Sequence, residues 1–309
     1  MKPLAVTLGD PAGIGPEVVL KALDGMDVPI ILFGSRKYTE KSGKVPANAR
    51  FHDVGGDASE LRFGQISADY GRVALASIDA AVTAIERADC SALVTAPIHK
   101  QSIALAGSSF PGHTELLASR AGLTRYGFEY AMYFDSPTIR TVLLTVHVPL
   151  TQAIAAIDPA QIAALADLTT RFYQRLYGKA PRIGIAGVNP HAGESGRFGR
   201  EEETIARGVE EARRRGLSVD GPAAADTIFL KARSGSYDVV MSMYHDQGLI
   251  AVKTLEFERS VNVTMGLPYL RCSVDHGTAF DIAGRGVADA RPMRYAIEWA
   301  ARNAQRWAL

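Results

Sequence analysis

The chain has 309 residues, 47% of them apolar and 22% charged, and a formal net charge of +1. This is the composition of a globular protein of about two domains; the basic surplus that nucleic acid or an anionic membrane would require is missing, so a small molecule is the expected partner. Two cysteines, Cys90 and Cys272, supply neither a disulfide framework nor metal-ligand spacing, and no apolar run reads as a signal peptide or a membrane span of roughly 20 residues, which together predict a cytoplasmic protein.

In chain order, short β-branched runs alternate with segments of helical period. Residues 4–8 read as a strand and 16–23 as a helix opened by Pro16. A strand at 29–33, a helix at 71–88 and a strand at 92–95 follow. Further on come a strand at 141–144, a helix at 159–177, a strand at 182–186, a helix at 200–215 and a strand at 238–241. Strands apolar on both faces and separated by helices predict a doubly wound α/β protein with a mostly parallel sheet. No Pro/Gly/Ser linker marks a boundary. The chain is expected to cross between lobes near residues 122–128 and again near Leu267, giving one lobe from 1–125 plus 267–309 and a second from 126–266.

Ligands of such sheets bind at the carboxyl ends of strands, so histidines that follow apolar runs carry weight. Three do so: His147 in LLTVHVPL, His191 in GIAGVNPHAGESG and His245 in VVMSMYHDQG. A parallel sheet would bring them to one edge, where three neutral imidazoles could hold a divalent metal and leave positions open for substrate. Each alone reads equally as a hydrogen-bonded histidine at a strand end. Asp246 and Asp226 are candidate acid–base or supporting carboxylates; for Asp226 the alternative is an N-cap of a helix over 227–231. The turn LGDPAGIGPE places Gly13 where free backbone N–H groups can face an anion, although it lacks the usual dinucleotide spacing. The block 274–286, with His276, Gly277, Thr278 and Asp281, is too glycine-dense for a helix and reads as an adenosine-wrapping loop or as a surface connection. Lys253 and Arg271, with Asn262 between them, suit the anionic end of a substrate or serve as solvated surface groups.

TLGDPAGIGPE, VTAPIHK, FPGHTELLA, HVPL, GVNPHAGESG, MYHDQGL, VNVTMGLP and VDHGTAFDIAG occur in this order over nearly the whole chain. Together they resemble the 4-hydroxythreonine-4-phosphate dehydrogenase family. The resemblance implies a homodimer with active sites shared between subunits, NAD or NADP as oxidant, and a divalent ion (zinc foremost, magnesium or cobalt otherwise) on His147, His191 and His245, the last reaching over from the partner. It implies substrate contacts from His113, Thr114, Lys253, Asn262 and Arg271. The expected reaction is oxidation with decarboxylation of a phosphorylated hydroxy amino acid on the way to pyridoxal phosphate. Alternatives are a four-carbon sugar-acid phosphate, a terephthalate-type cis-dihydrodiol, or a non-catalytic metal- or nucleotide-binding role. LGDPAGIGPEV and HGTAFDIAGRGVAD are further similar to segments of isocitrate and isopropylmalate dehydrogenases. That likeness implies their two-lobed α/β/α fold, an active site in the cleft between lobes, and a nucleotide held by Gly13 and the loop from His276 to Asp289, where Asp289 stands in place of Asn.

Overall fold

The computed structural model describes residues 2–47, 49–56 and 60–307. Eleven strands occur among them: β1 (Leu4–Thr7), β2 (Ile30–Gly34), β3 (Ala49–Asp53), β4 (Leu93–Thr95), β5 (Ala131–Asp135), β6 (Arg140–Leu143), β7 (Ile183–Ala186), β8 (Val219–Ala223), β9 (Val239–Ser242), β10 (Val261–Met265) and β11 (Arg271–Ser273). The chain divides into two compact units, Met1–Ala121 with Leu267–Leu309, and Gly122–Gly266. Both are α/β.

In the first unit the strands run in the order β3-β2-β1-β4-β11, all parallel. Leu4, Val6, Leu32, Leu93 and Val94 are fully enclosed, and burying each such side chain is worth about 1.5–3 kcal/mol. The helix Ala68–Glu86 is capped by Ser67, whose hydroxyl accepts from the Asp69 N–H at 3.2 Å. Val73, Ala74, Ile78, Ala81 and Val82 line its buried face at helical spacing. Gly71 tolerates a position inside this helix because a Cβ there would stand 2.0 Å from the Ser102 carbonyl oxygen.

In the second unit the order is β10-β5-β6-β9-β7-β8. The pairs β10/β5 and β5/β6 are antiparallel and the remainder parallel. The helix Pro159–Tyr177 carries its signals openly: Asp158 accepts from the Ala160 and Gln161 N–H groups, proline holds the first position, and Gly178 ends it in the left-handed region at φ 73°. It packs against the helix Glu201–Arg214 so closely that a Cβ at Gly208 would lie 2.7 Å from Ile162 Cβ.

Several boundaries differ from expectation. The first helix, Gly15–Ala22, begins one residue before Pro16. Asp226 is not an N-cap: the helix runs Ala225–Arg233, its cap is Ala224, and Asp226 projects from the first turn, exposed. The segment after β9 is a helix, His245–Glu256, which the glycine of HDQG does not break. A Cβ on Gly248 would meet Leu143, Ser242 and Thr141 within 3.0 Å, so this glycine lets the helix seat on β6 and β9.

Candidate active site

β6, β9 and β7 are parallel neighbours in the second unit, and each hands its carboxyl end to one of the three histidines. His147 follows β6, His245 follows β9 and His191 follows β7. Two of the three meet. The rings of His147 and His245 have centroids 5.5 Å apart, tilted by 44°, in a cleft of about 210 Å³ also lined by Thr145, Tyr244 and Asp246. Backbone ties fix this proximity: the Leu144 N–H donates to the Ser242 carbonyl and the Thr145 hydroxyl to the Met243 carbonyl, both at 2.8 Å. His147 is held at φ 50°, a left-handed conformation costing a non-glycine residue about 1–2 kcal/mol.

The HDQG motif accounts for itself residue by residue. His245 opens the helix, and its Nδ1 lies 2.7 Å from Asp246 Oδ1, which leaves Nε2 as the atom turned to other partners. Gln247 accepts from the Met243 N–H at 2.7 Å and donates to the Gly187 carbonyl at 2.8 Å, tying the start of this helix to the exit of β7. Lys253 lies on the same helix, in a groove with His245, Asp246 and Leu249.

His191 stands apart from the pair. Its ring is 6.2 Å from that of Phe198. Among the described residues no group of three or more histidine, cysteine, aspartate or glutamate side chains is placed to hold a metal ion. Two imidazoles side by side, as His147 and His245 are, are of the residue type that ligates a divalent ion. Moreover, His245, expected to serve the partner's site, stands beside His147 of its own chain.

Asn262, on β10, has its side-chain oxygen buried without a hydrogen-bond partner among the described residues. Such a group is costly unless something satisfies it.

The first unit contributes a second cluster. Arg271 on β11 is 1% exposed, and its Nη2 donates to Thr95 Oγ1 at 2.6 Å on the neighbouring β4. Burial pulls its guanidinium down to about 10, which still leaves it cationic at neutral pH. His113 opens the helix His113–Arg120, followed by the buried Thr114. Burial, and after it the Arg271 charge, hold the His113 imidazole well below the usual histidine range. It is therefore neutral at neutral pH, with an Nε2 shielded from solvent and lacking a partner among the described residues. A buried cation beside a neutral, unsatisfied imidazole is suited to an anion carrying both charge and hydrogen-bonding oxygens.

The glycine turn after β1 and the loop after β11 pack together in this unit. The Ile14 N–H donates to the Thr278 carbonyl at 3.0 Å, and a Cβ on Gly13 would lie 2.9 Å from Thr278 Cβ. The buried Glu17 accepts from the Ala288 N–H, and Lys21 donates to the Gly286 and Ala288 carbonyls. The loop from His276 to Asp289 is thereby fastened to the first helix. His276 Nε2 is buried without a partner among the described residues, Gly277 and Asp281 are exposed, and the Asp289 carboxylate is gripped by Arg291 through Nε and Nη2 at 3.0 and 2.7 Å. That grip, above all other effects, lowers the Asp289 carboxyl below its usual range.

Sequence reasoning missed Thr95, Glu17, Lys21 and Gln247, which act by holding other groups. No local pattern distinguishes Thr95 from any other strand threonine, and Glu17 reads as an ordinary first-turn acid.

The family model described as pyridoxal phosphate biosynthetic protein PdxA matches residues 10–300. The chain is 40% identical to the D-threonate 4-phosphate dehydrogenase of Cupriavidus necator, over 98% of this chain and 97% of that protein. It is likewise 40% identical to the 4-hydroxythreonine-4-phosphate dehydrogenase of Beijerinckia indica, over 97% and 94%. Among solved structures, the 4-hydroxythreonine-4-phosphate dehydrogenase of Klebsiella pneumoniae superposes with a TM-score of 0.88 at 36% identity, covering 99% of this chain and all of that one.

Proposed function

Because the chain belongs to the family of the pyridoxal phosphate biosynthetic protein PdxA, we propose that it oxidises the CH–OH group of 4-phosphooxy-L-threonine with NAD or NADP, the product losing carbon dioxide to give 3-amino-2-oxopropyl phosphate for pyridoxal 5'-phosphate synthesis in the cytoplasm. The observation that carries this reading is Arg271, a cation 1% exposed next to a histidine kept neutral by burial. In this reading Arg271, His113 and Thr114 receive the phosphate, and Lys253 and Asn262 engage oxygens of the same substrate. His147, His191 and His245 would hold a divalent ion, zinc before magnesium or cobalt. When bound, that ion would supply Lewis acidity toward the substrate hydroxyl, and the nicotinamide would serve as hydride acceptor.

The protein's own groups do the rest. Asp246 orients the His245 ring through Nδ1, fixing which nitrogen faces outward. Asp226 or Asp246 accepts the hydroxyl proton. Gly13, His276, Gly277, Thr278, Asp281 and Asp289 form the nucleotide-binding surface of the first unit, where the orphaned Nε2 of His276 is available to a cofactor atom. A second copy of the chain completes the ligand set; the exposed apolar side chains Val148, Leu150 and Ile250, at 46%, 53% and 66% exposure near His147 and His245, support burial of this surface in a homodimer.

A second reading has a specific observation behind it: relatives of equal identity carry the name D-threonate 4-phosphate dehydrogenase. The two substrates share the phosphate and differ at the amino group. Initial rates of NADH formation with each, and with a terephthalate-type cis-dihydrodiol, decide among them. A preference for threonate 4-phosphate assigns the second reading, and no turnover of any of them leaves a non-catalytic binding role.

A further inference from the structure

The connection between β7 and the helix Glu201–Arg214 has an unusual backbone. His191, Ala192, Gly193, Glu194 and Ser195 are successive left-handed residues, with φ of 54°, 51°, 76°, 41° and 59°. Only one of the five is glycine. Such a run is unfavourable for L-residues and persists only where surrounding contacts over-determine it.

The residues that lead into the run are held by Glu202, whose side chain is buried, and the Ala192 N–H donates back to the Asn189 carbonyl at 3.1 Å. Glu202 Oε1 accepts from the backbone N–H groups of Val188 and Asn189 at 2.9 and 2.7 Å, and its Oε2 from Asn189 Nδ2 at 2.9 Å. Glu201 Oε2 takes the same Asn189 amide at 2.6 Å. The glycines of GVNPHAGESGRFG supply the room. A Cβ on Gly193 would stand 2.7 Å from Glu202 Oε2, one on Gly187 3.3 Å from Glu202 Oε1, and one on Gly199 2.6 Å from Glu201 Oε2. The His191 side chain itself is exposed, so packing does not set its direction. The backbone of the turn does.

We infer that Glu202 is the positioning residue of His191: its carboxylate clamps Val188 and Asn189 and so holds the left-handed turn that aims the imidazole before any ion arrives. This rests on the reading of His191 as a metal ligand. A carboxylate is the group the site calls for, since three donors from two successive residues meet two acceptor oxygens. Glutamine would keep the bonds to the two backbone N–H groups but turn its own NH₂ toward the Asn189 NH₂, donor against donor.

The test is titration of the full-length, metal-free protein with Co²⁺, followed by its visible absorption, with affinity from competition against a chelator. Wild type, Glu202→Gln, Glu202→Ala and His191→Ala are compared. Removal of a group that orients a ligand weakens metal binding by about 10- to 100-fold; Glu202→Ala is expected to do so and to shift the Co²⁺ bands at saturation toward those of His191→Ala, with Glu202→Gln between it and wild type. A merely structural role would lower the melting temperature without moving the bands of the saturated protein. Wild-type affinity and bands in a natively folded Glu202→Ala overturn the inference while leaving the metal site standing. If Glu202→Ala does not fold, Glu202→Gln carries the same test, and wild-type behaviour there overturns it equally. A wild type that takes up no Co²⁺ overturns the metal site itself, and the inference with it.

Discussion

Replacing Arg271 by methionine separates stability from function. Burial lowers this guanidinium from 12.5 to about 10, and at about 1.4 kcal/mol per pH unit enclosing the charge costs about 3 kcal/mol. The hydrogen bond to Thr95 Oγ1 at 2.6 Å returns about 1.5–3 kcal/mol, the usual range for a charged donor. Methionine fills similar space without charge, so Arg271→Met is expected to leave the substrate-free protein as stable as wild type or up to about 1.5 kcal/mol more so. That corresponds to a rise in Tm of up to about 2 °C. The phosphorylated substrate loses its buried cation, and the same charged bonds set a rise in KM of roughly 10- to 100-fold. Thermal melts with and without substrate, alongside NADH absorbance, read both effects. Substrate should raise the melting temperature of wild type and leave the variant unmoved. A variant that melts far below wild type, or that substrate stabilises just as well, refutes the assignment of Arg271 as an anion receptor held at a cost to the fold.

His113 gives a pH dependence of definite sign. Its imidazole is held below the usual range in the folded state, so the unfolded chain binds the extra proton; stability is complete above about pH 6.5 and falls on acidification at up to about 1.4 kcal/mol per pH unit. Urea midpoints measured from about pH 7 down to about pH 5 should show that slope reduced in His113→Gln, and equal slopes in both proteins count against a neutral buried imidazole. Gly13→Ala forces a Cβ to within 2.9 Å of Thr278 Cβ and should raise KM for NAD about tenfold, at a stability cost of about 1–3 kcal/mol, while KM for the hydroxy acid stays put; an unchanged KM for NAD dissociates this turn from the cofactor. Asp226→Asn is expected to lower kcat about 100-fold with metal affinity intact, whereas Asp246→Asn, which loosens His245, should weaken metal binding about 10-fold or more. Chelation should abolish turnover and added zinc restore it, and full activity in verified metal-free protein would end the metal-dependent reading.

Much of the α/β framework was legible because strands β1, β2, β4, β6, β7 and β9 are buried and apolar on successive residues, and because caps such as Asp158 and Gly178 announce their helix. Five strands escaped notice, and for three of them, β3, β8 and β11, the cause is identifiable, whereas β5 (AMYFD) and β10 (VNVTM) carry an ordinary strand pattern. β3 (ARFHD) carries charged and polar side chains on its exposed positions, β8 (VDGPA) contains glycine and proline, which weaken a strand pattern, and β11 is three residues long with an arginine in it. The placement of His147, His191 and His245 after β6, β7 and β9 could be foreseen from the carboxyl-end rule. That the rings of His147 and His245 come within 5.5 Å of each other could not, and the left-handed backbone at His147 and His191 leaves no mark in composition. The Arg271–Thr95 contact joins residues distant in the chain and follows only from the pairing of β11 with β4.

The interrupted first unit also orders the events of synthesis. The second unit is one uninterrupted stretch, Gly122–Gly266. The first stays unfinished until the ribosome has delivered β11 to the side of β4 and brought Gly286 and Ala288 within reach of Lys21. A released chain truncated after residue 266 would therefore hold the whole insert together with a host that still lacks Arg271 and the loop running to Asp289. Pulse proteolysis of such truncated chains should digest the N-terminal segment while sparing the insert.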